Sequence, residues 1–311
     1  MKAGDKIRAW APATIANLSC GYDVMGLALD APGDEVEVEI DESGEIRLEI
    51  VGDGGLLPKH VEKNLASAMV QRFLISEQLT QFGARVRLHK NLPLNSGMGS
   101  SSSSAVAALT AINHLAGQPY SPLQLLPAAM DGERIACGNA HADNVAPALL
   151  GGVVLIRDVK GRDVVQLPFP DSLRISLVHP HIDVPTSESR LILKPRVAIP
   201  EAVQQWANVG GLVAGFCTGD IPLIGRSLED VIFEPVRSML IPGFYDMKDI
   251  AMDAGAIGFG ISGSGPSVFA LSNDEQVAKE ISLKLHKYLK SIGIDNEHYT
   301  SGINQQGAKV L

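Results

Sequence analysis

The sequence is short of cysteine and has no long apolar runs. Its three cysteines, Cys20, Cys137 and Cys217, are far apart and never in a Cys-x-x-Cys spacing. This excludes a disulfide framework and a zinc ribbon, and it is typical of a reduced cytoplasmic protein. No apolar run reaches the roughly 18 residues that a membrane helix needs. Because no apolar segment follows the N-terminal charges either, we expect neither a membrane span nor a signal peptide.

Positive charge and aromatic residues are also scarce. The chain has 26 Lys and Arg against 35 Asp and Glu, a net charge of −9, and its aromatic content is 5%. Without a basic block it lacks the phosphate-neutralising surface of a general nucleic-acid binder, and without aromatics it lacks base-stacking platforms. At roughly 100–200 residues per domain, the 311 residues predict two domains or one large one.

Glycine, by contrast, is abundant, with 31 residues where an average near 7% is usual. The most informative glycines lie in residues 93–105, between a predicted strand at 84–88 and a predicted helix that begins near residue 101. Gly97 and Gly99 allow positive φ and close approach of the backbone to a ligand. The serines that follow are expected to supply N-caps and free hydroxyls at the start of the helix. Such a helix start is a ready anion site.

Other known glycine loops fit this segment less well. A Walker A loop is excluded because no Gly-Lys-Ser/Thr follows, and the dinucleotide fingerprint is excluded because Ser102 stands where its third glycine would be. A flexible Gly/Ser linker is the plainer alternative. We favour the anion site because the run lies between a clear strand and a clear helix.

The order of the predicted elements indicates an α+β protein. Residues 35–40 and 46–50 alternate around a glycine turn and predict a β-hairpin, and a strand at 7–11 is predicted to end at Pro12. Helical spacing covers residues 61–79. Because strands mix with helices without strict alternation, an α+β fold is favoured over a doubly wound sheet.

The second half of the chain has its own pattern. Residues 256–259 and 266–271 predict a strand pair around a second glycine loop, followed by a helix at 275–291. That loop is about equally consistent with a plain turn. We place the domain boundary in the linker near residues 165–170, which divides the chain into residues 1–167 and 168–311.

Several polar clusters carry little information in isolation. Glu133 taken alone would be expected to be a solvated helix charge, and His141 with Asp143 has no third metal ligand at a diagnostic spacing. The pair His179 and His181 follows a predicted strand and is interpreted as an ordinary turn.

In combination, the segments resemble the GHMP small-molecule kinases. The three signatures of that family are matched in order by residues 12–17, 93–101 and 260–266. Further matches resemble the members that act on homoserine, and they comprise Asn17 with residues 21–23, residues 141–147, Thr186 with Arg190, and residues 234–237 before Pro242 and Gly243. The resemblance implies an N-terminal domain like the second domain of ribosomal protein S5 and a ferredoxin-like C-terminal domain. ATP and substrate would bind in the cleft between them.

The resemblance also implies a reaction. It is the ATP-dependent phosphorylation of the side-chain hydroxyl of L-homoserine to O-phospho-L-homoserine, a step toward threonine, by a cytoplasmic homodimer. Two alternatives stay open: a GHMP kinase for another small alcohol, and a GHMP-fold ligand sensor without catalysis. No nucleic-acid or membrane partner is expected.

The matching positions carry implied roles. The ATP phosphates would lie against the loop formed by Pro93, Leu94, Asn95, Ser96, Gly97, Met98, Gly99, Ser100, Ser101, Ser102 and Ser103. Mg²⁺ would be held by Ser101 and Glu133. Arg190 and Arg237 would bind the substrate carboxylate, Asp23 its ammonium group, and Asn17 and Asn144 its hydroxyl, with Thr186 and Gly263 completing the pocket.

By the same resemblance, the catalytic positions would be Asn17 and Asn144. Asn144 stands where members like mevalonate kinase have an aspartate base, and an amide cannot take a proton at neutral pH. We therefore expect positioning without a dedicated base, with His141 as a less favoured candidate. The chain departs from the family pattern in Met98, where leucine is expected, and in residues 102–104, where small apolar residues are usual. The extra hydroxyls are expected to be tolerated as helix caps.

Overall fold

The structure is a computed structural model that describes residues 1–137, 142–158, 163–183 and 191–311. Its strands are Lys6–Ala16 (β1), Met25–Asp41 (β2), Ile46–Val51 (β3), Gly83–His89 (β4), Val153–Asp158 (β5), Asp163–Leu167 (β6), Arg174–Pro180 (β7), Gly258–Ile261 (β8), Val268–Ser272 (β9), Asn296–Ser301 (β10) and Lys309–Val310 (β11). Its helices are Leu65–Ser76 (α1), Ser100–Leu115 (α2), Pro122–Cys137 (α3), Ala142–Leu150 (α4), Ile199–Thr218 (α5), Ile221–Ser227 (α6), Glu234–Arg237 (α7), Phe244–Asp253 (α8) and Glu275–Ser291 (α9).

The first sheet has the order β11-β1-β2-β4-β3, with β5 and β6 continuing from the other part of the long strand β2. The predicted hairpin is wrong: β3 pairs in parallel with β4, and β4 lies between β3 and β2. Alternating residues correctly show that each segment is a strand with one wet face, but they do not specify its partner. The helix α1 returns the chain so that β4 can enter between the two strands.

Strand β1 also differs from its prediction, because it continues past Pro12 to Ala16. Its pairing with β2 shifts register between Pro12 and Thr14. Such an irregularity absorbs the ladder hydrogen bond that proline cannot donate and re-aims the following side chain.

The second sheet confirms the α+β prediction for the C-terminal half. Its order is β10-β7-β9-β8, and every pairing in it is antiparallel. Helices lie between its first and second strands in the chain, and α9 lies between the third and fourth. This is the β-α-β-β-α-β arrangement of a ferredoxin-like domain. The predicted strand pair around the second glycine loop and the predicted helix at 275–291 are both confirmed.

One hydrophobic cluster joins the two sheets and thereby sets the position of the site. It contains Ile15 of β1, Leu27 of β2, Leu177 of β7, Phe269 of β9 and Phe216 of α5, all buried. A separate cluster packs helices α1 to α4 against the first sheet. The glycine loops that precede α2 and follow β8 are therefore carried on packed elements. The boundary between residues 1–167 and 168–311 stays a prediction.

Within the described part of the chain, no helix combines the length and the apolarity that are needed to cross a membrane.

Candidate active site

The start of α2 has the features that an anion site needs. Its N-cap is Gly99, whose φ of 66° is left-handed, and no side chain caps the helix. The expectation that serines supply the N-cap is therefore wrong, because Ser100 is already the first helical residue. The first N–H groups of a helix have no partner inside the helix, so this end presents donors and the positive end of the dipole to a ligand.

Three serine hydroxyls of this helix start have separate partners. Ser102 Oγ donates to Glu133 Oε1 over 2.7 Å, and Ser103 Oγ donates to the carbonyl of Ala11 over 2.7 Å. Ser104 Oγ donates to Asp34 Oδ2 over 2.7 Å. By contrast, Ser100 Oγ is buried without a hydrogen-bond partner among the described residues. A phosphate oxygen at the helix start would satisfy it, so this part of the site fits a nucleotide phosphate.

Lys90 was not identified from the sequence, and its buried side chain stabilises the same helix start. Its side chain is buried against Asp34, and Nζ also donates to the carbonyl of Ser100 over 2.7 Å and to Ser104 Oγ over 3.0 Å. Burial lowers the pKa of Lys90, and the neighbouring Asp34 opposes that shift. The one signal in the sequence is a lysine placed between the strand and the glycine loop.

The two glycines of the loop contact protein rather than open space. Gly97 has a φ of 76°, and a Cβ there would overlap the carbonyl oxygen of Ser262 and lie 2.7 Å from that of Gly265. Ser262 Oγ donates to the carbonyl of Gly97 over 2.8 Å. A Cβ at Gly99 would overlap Thr14 Oγ1. Both glycines therefore allow the phosphate loop to pack closely on neighbouring segments, in addition to permitting the left-handed backbone.

One cleft gathers most of the residues that the sequence singled out. Its walls include Asn17, Asp23, Asn95, Ser96, Gly97, Gly99, Ser100, Ser101, Ser102, Glu133, Asn144, Arg237 and Gly263. Pro93, Leu94, Met98 and Ser103 do not line it, and the last two are fully buried behind the loop. Thr186, Arg190 and His141 lie outside the described residues.

Another group of side chains in the cleft converges on one carbonyl group. Asn17 Nδ2 donates to the carbonyl of Gly263 over 2.8 Å, and Arg237 Nη1 donates to the same oxygen over 3.1 Å. Asn17 Oδ1 accepts the backbone N–H of Asp23 over 2.9 Å. Arg237 also lies 4.9 Å above the ring of Tyr22, a cation–π contact that fixes the plane of the guanidinium. The second glycine loop thus holds both Asn17 and Arg237 through one backbone carbonyl.

Backbone strain marks the same place. Residues 17–19, Asn-Leu-Ser, have φ of 73°, 43° and 61° in succession. Three left-handed residues other than glycine are costly and persist only where the surroundings impose them, typically at functional sites.

The donor set beside α2 fits a magnesium ion. Glu133 is 6% exposed and lines the cleft with Ser101. Gly132 lets α3 approach α1, because a Cβ there would lie 3.1 Å from Met69 Sδ. The described residues contain no group of three or more His, Cys, Asp or Glu that could hold a metal. Mg²⁺ suits such a sparse site, since it takes hard oxygen ligands and is commonly completed by phosphate oxygens and water.

His179 lies at the end of β7, behind the second glycine loop, and its Nδ1 is 3.2 Å from Ser267 Oγ. Burial lowers the pKa of His179 to about 4 from an ordinary value of 6.5, and His181 contributes in the same direction. The ring is therefore neutral near pH 7, which agrees with a structural role.

This shift predicts a pH dependence of stability. As the pH falls from 6.5 towards 4, His179 becomes protonated in the unfolded chain but stays mostly neutral in the folded chain. The stabilisation is thus fully present above pH 6.5 and is lost as the pH falls through that window. His179→Gln should flatten this part of the curve of unfolding free energy against pH, measured with urea. The exposed control His60→Gln should leave it unchanged; equal curves for wild type and His179→Gln would contradict the prediction.

Comparison with known proteins gives a consistent result. Residues 64–152 match the GHMP kinases N terminal domain, and residues 212–291 match the GHMP kinases C terminal domain. Homoserine kinase of Chloroherpeton thalassium is 47% identical, with 98% of this chain and 99% of that one covered. Homoserine kinase of Chlorobium phaeobacteroides is 46% identical over the same shares.

Solved structures agree with the sequence matches. The crystal structure of homoserine kinase from Cytophaga hutchinsonii is 49% identical, with a TM-score of 0.96 over 100% of this chain and 99% of that one. The L. major mevalonate kinase in complex with R-mevalonate has a TM-score of 0.75 over 97% of each chain at 16% identity, which shows a shared fold alone.

Proposed function

Because this chain belongs to the homoserine kinases of the GHMP kinase family, we propose that its cleft transfers the γ-phosphoryl group of ATP to the side-chain hydroxyl of L-homoserine. The products are O-phospho-L-homoserine and ADP. The observation that carries this assignment is the pairing, across one cleft, of an uncapped helix start with an arginine fork and an aspartate. The first suits phosphates, and the others suit the two charges of an amino acid.

The phosphates of ATP bind at the start of α2. The helix N–H groups and dipole supply positive potential without a Walker lysine, and Ser100 Oγ, which has no hydrogen-bond partner among the described residues, can donate to a phosphate oxygen. Lys90 acts indirectly, because its ammonium group is already bonded to Asp34 and to the carbonyl of Ser100. Ser101 and Glu133 would hold Mg²⁺, which would neutralise charge on the phosphates as they react.

Homoserine binds on the opposite wall. Arg237 presents a planar fork of donors that suits a carboxylate, and Asp23 provides the negative charge for the ammonium group. Asn17 and Asn144 line the same cleft and would orient the hydroxyl, with Gly263 completing the pocket. Arg190 and Thr186 keep the roles implied by the resemblance.

Transfer depends on alignment. The hydroxyl oxygen forms a bond to the γ-phosphorus as the bond from that phosphorus to the bridging oxygen of ADP breaks, and the hydroxyl proton is released to water. Asn144 cannot accept this proton, since an amide is not a base at neutral pH. Transition states of this kind are loose, so positioning and charge stabilisation supply most of the acceleration.

Losing the arginine fork should impair substrate binding. Arg237→Ala is expected to cost about 1.5–3 kcal/mol, which is roughly 10–150-fold in kcat/KM for homoserine. Arg237→Lys should recover only part of this, because a lysine cannot bind bidentately. Steady-state kinetics and the melting temperature are measured together, since Arg237 also contacts Gly263. Exposed Arg226→Ala is the control, and wild-type efficiency in Arg237→Ala would overturn the substrate assignment.

Mass spectrometry after incubation with Mg-ATP and homoserine tests the function directly. Phosphohomoserine is the expected product, and ADP release should be greatest with homoserine in a panel that includes mevalonate, shikimate and galactose. If another alcohol were the preferred substrate, the chain would be a GHMP kinase for that alcohol. A ligand-dependent rise in melting temperature without any phosphorylated product would indicate a sensor.

Two expectations from the resemblance remain predictions. A homodimer would be detected by sedimentation velocity, and a cytoplasmic location by fractionation of cells that express the protein.

A further inference from the structure

A single hydrogen bond beneath the phosphate loop connects two distant parts of the chain. Thr14 Oγ1 donates to Asn144 Oδ1 over 2.7 Å, although the residues are 130 positions apart. Thr14 is fully buried on β1, directly after the register shift that re-aims its side chain. Asn144 lies in the first turn of α4 and lines the cleft, whereas Thr14 does not. The bond therefore lies on the buried side of the asparagine amide.

The direction of this bond follows from the chemistry of the two groups. An asparagine amide could in principle be turned so that Nδ2 faces the threonine, which would then accept. The buried hydroxyl hydrogen of Thr14 would be left without its acceptor, and leaving a buried donor unsatisfied is costly. The orientation with Oδ1 towards Thr14 avoids this cost. The oxygen is thereby turned towards the buried threonine, and none of the described residues accepts a hydrogen bond from Nδ2.

We propose that Thr14 is a positioning residue that fixes the Asn144 amide with its N–H₂ group facing the reacting atoms. In this orientation Asn144 acts as a hydrogen-bond donor to the substrate hydroxyl oxygen or to an oxygen of the transferring phosphoryl group. It does not act as an acceptor for the hydroxyl proton, because the oxygen that could accept is turned towards buried Thr14, which does not line the cleft. The inference rests on the proposed function, since its readout is phosphorylation of homoserine.

The packing around the pair leaves it little freedom. Gly99 lies against both side chains, because a Cβ at that position would overlap Thr14 Oγ1 and lie 2.9 Å from Asn144 Oδ1. The backbone N–H of Thr14 donates to the carbonyl of Met98 over 3.0 Å. Thr14 thus contacts the phosphate loop and the asparagine at once. The amide is set relative to the site of the γ-phosphate by protein contacts alone, before substrate binds.

The test is a double-mutant cycle on kcat. Thr14→Val has nearly the same shape but cannot donate, and it is expected to lower kcat about 10-fold, as the loss of one ordinary hydrogen bond would. The KM for ATP should not change. Thr14→Ser keeps the hydroxyl and should restore kcat to within about threefold of wild type. If Thr14 acts through Asn144, adding Thr14→Val to Asn144→Ala should lower kcat no further.

A structural role alone would give different results. Ser176→Ala removes another buried hydroxyl bond, 2.6 Å long and remote from the cleft, and serves as the control for lost stability. Equal kcat for Thr14→Val and wild type would overturn the inference, and so would additive losses in the double variant. If the wild type makes no phosphohomoserine, the proposed function fails. If wild type and Thr14→Val are equally active, the function stands and only the role of Thr14 fails.

Discussion

Replacing Gly97 by alanine should strongly reduce both the stability and the catalytic efficiency of the protein. The residue is left-handed, and its Cβ would overlap the carbonyl oxygen of Ser262 and lie 2.7 Å from that of Gly265. Backbone atoms cannot turn aside as a side chain does, so the two glycine loops must separate. We expect a loss of about 3 kcal/mol or more in unfolding free energy. The displaced phosphate loop should also cost at least about 100-fold in kcat/KM.

The same helix offers a matched control at its other end. Gly117 follows α2 with a φ of 86°, and nothing lies within 4 Å of its added Cβ. Gly117→Ala therefore has the left-handed strain without the clash, and about 1–2 kcal/mol is expected. Urea unfolding and steady-state kinetics on both variants separate the two effects. Equal losses would show that packing of the two loops is unimportant at Gly97.

Glu133→Gln is expected to have the second large effect. The substitution keeps the shape of the side chain and an oxygen that can accept from Ser102, but it removes the charge that would hold Mg²⁺. We expect a loss of about 3 kcal/mol, or roughly 150-fold in kcat/KM. The concentration of Mg²⁺ at half-maximal rate should rise, because the weakened site must be filled by mass action.

The neighbouring carboxylate supplies the control. Asp131 lies on the same helix with its side chain 52% exposed and paired with Arg134 at the surface, and exposed pairs of this kind contribute little. Asp131→Asn should leave both kcat/KM and the Mg²⁺ requirement within about twofold of wild type. An unchanged Mg²⁺ requirement in Glu133→Gln would remove Glu133 from the metal site.

Local patterns were sufficient for much of the fold. The strand pair around the second glycine loop and the helix that became α9 were predicted because periodicity and turn residues act over a few positions. The partner of β3 was not predictable, because the pairing of strands depends on where α1 returns the chain. The prediction of serine N-caps was wrong for a similar reason. Whether Ser100 precedes the helix or begins it depends on the left-handed turn at Gly99.

The candidate site shows the same division. Through a family resemblance, the sequence identifies the motifs whose residues meet in one cleft. They include Gly97, Ser101, Glu133, Asn144 and Arg237. The supporting contacts are not identified in this way. Lys90 and Asp34 are 56 residues apart and Thr14 and Asn144 are 130 apart, so no local pattern joins them. Each would be interpreted as an ordinary strand or turn residue.

By itself, therefore, the sequence determined an acidic α+β protein with two glycine loops and the polar groups of a small-molecule kinase. The tertiary structure decided how those groups are used. Tertiary contacts orient the Asn144 amide towards Thr14, join Ser102 to Glu133 by a hydrogen bond, and hold Ser262 against the carbonyl of Gly97. The physical reason is the range of the forces involved. Hydrophobic periodicity depends only on residues that are close in the sequence. A hydrogen bond between buried groups, by contrast, forms only where folding brings donor and acceptor within about 3 Å.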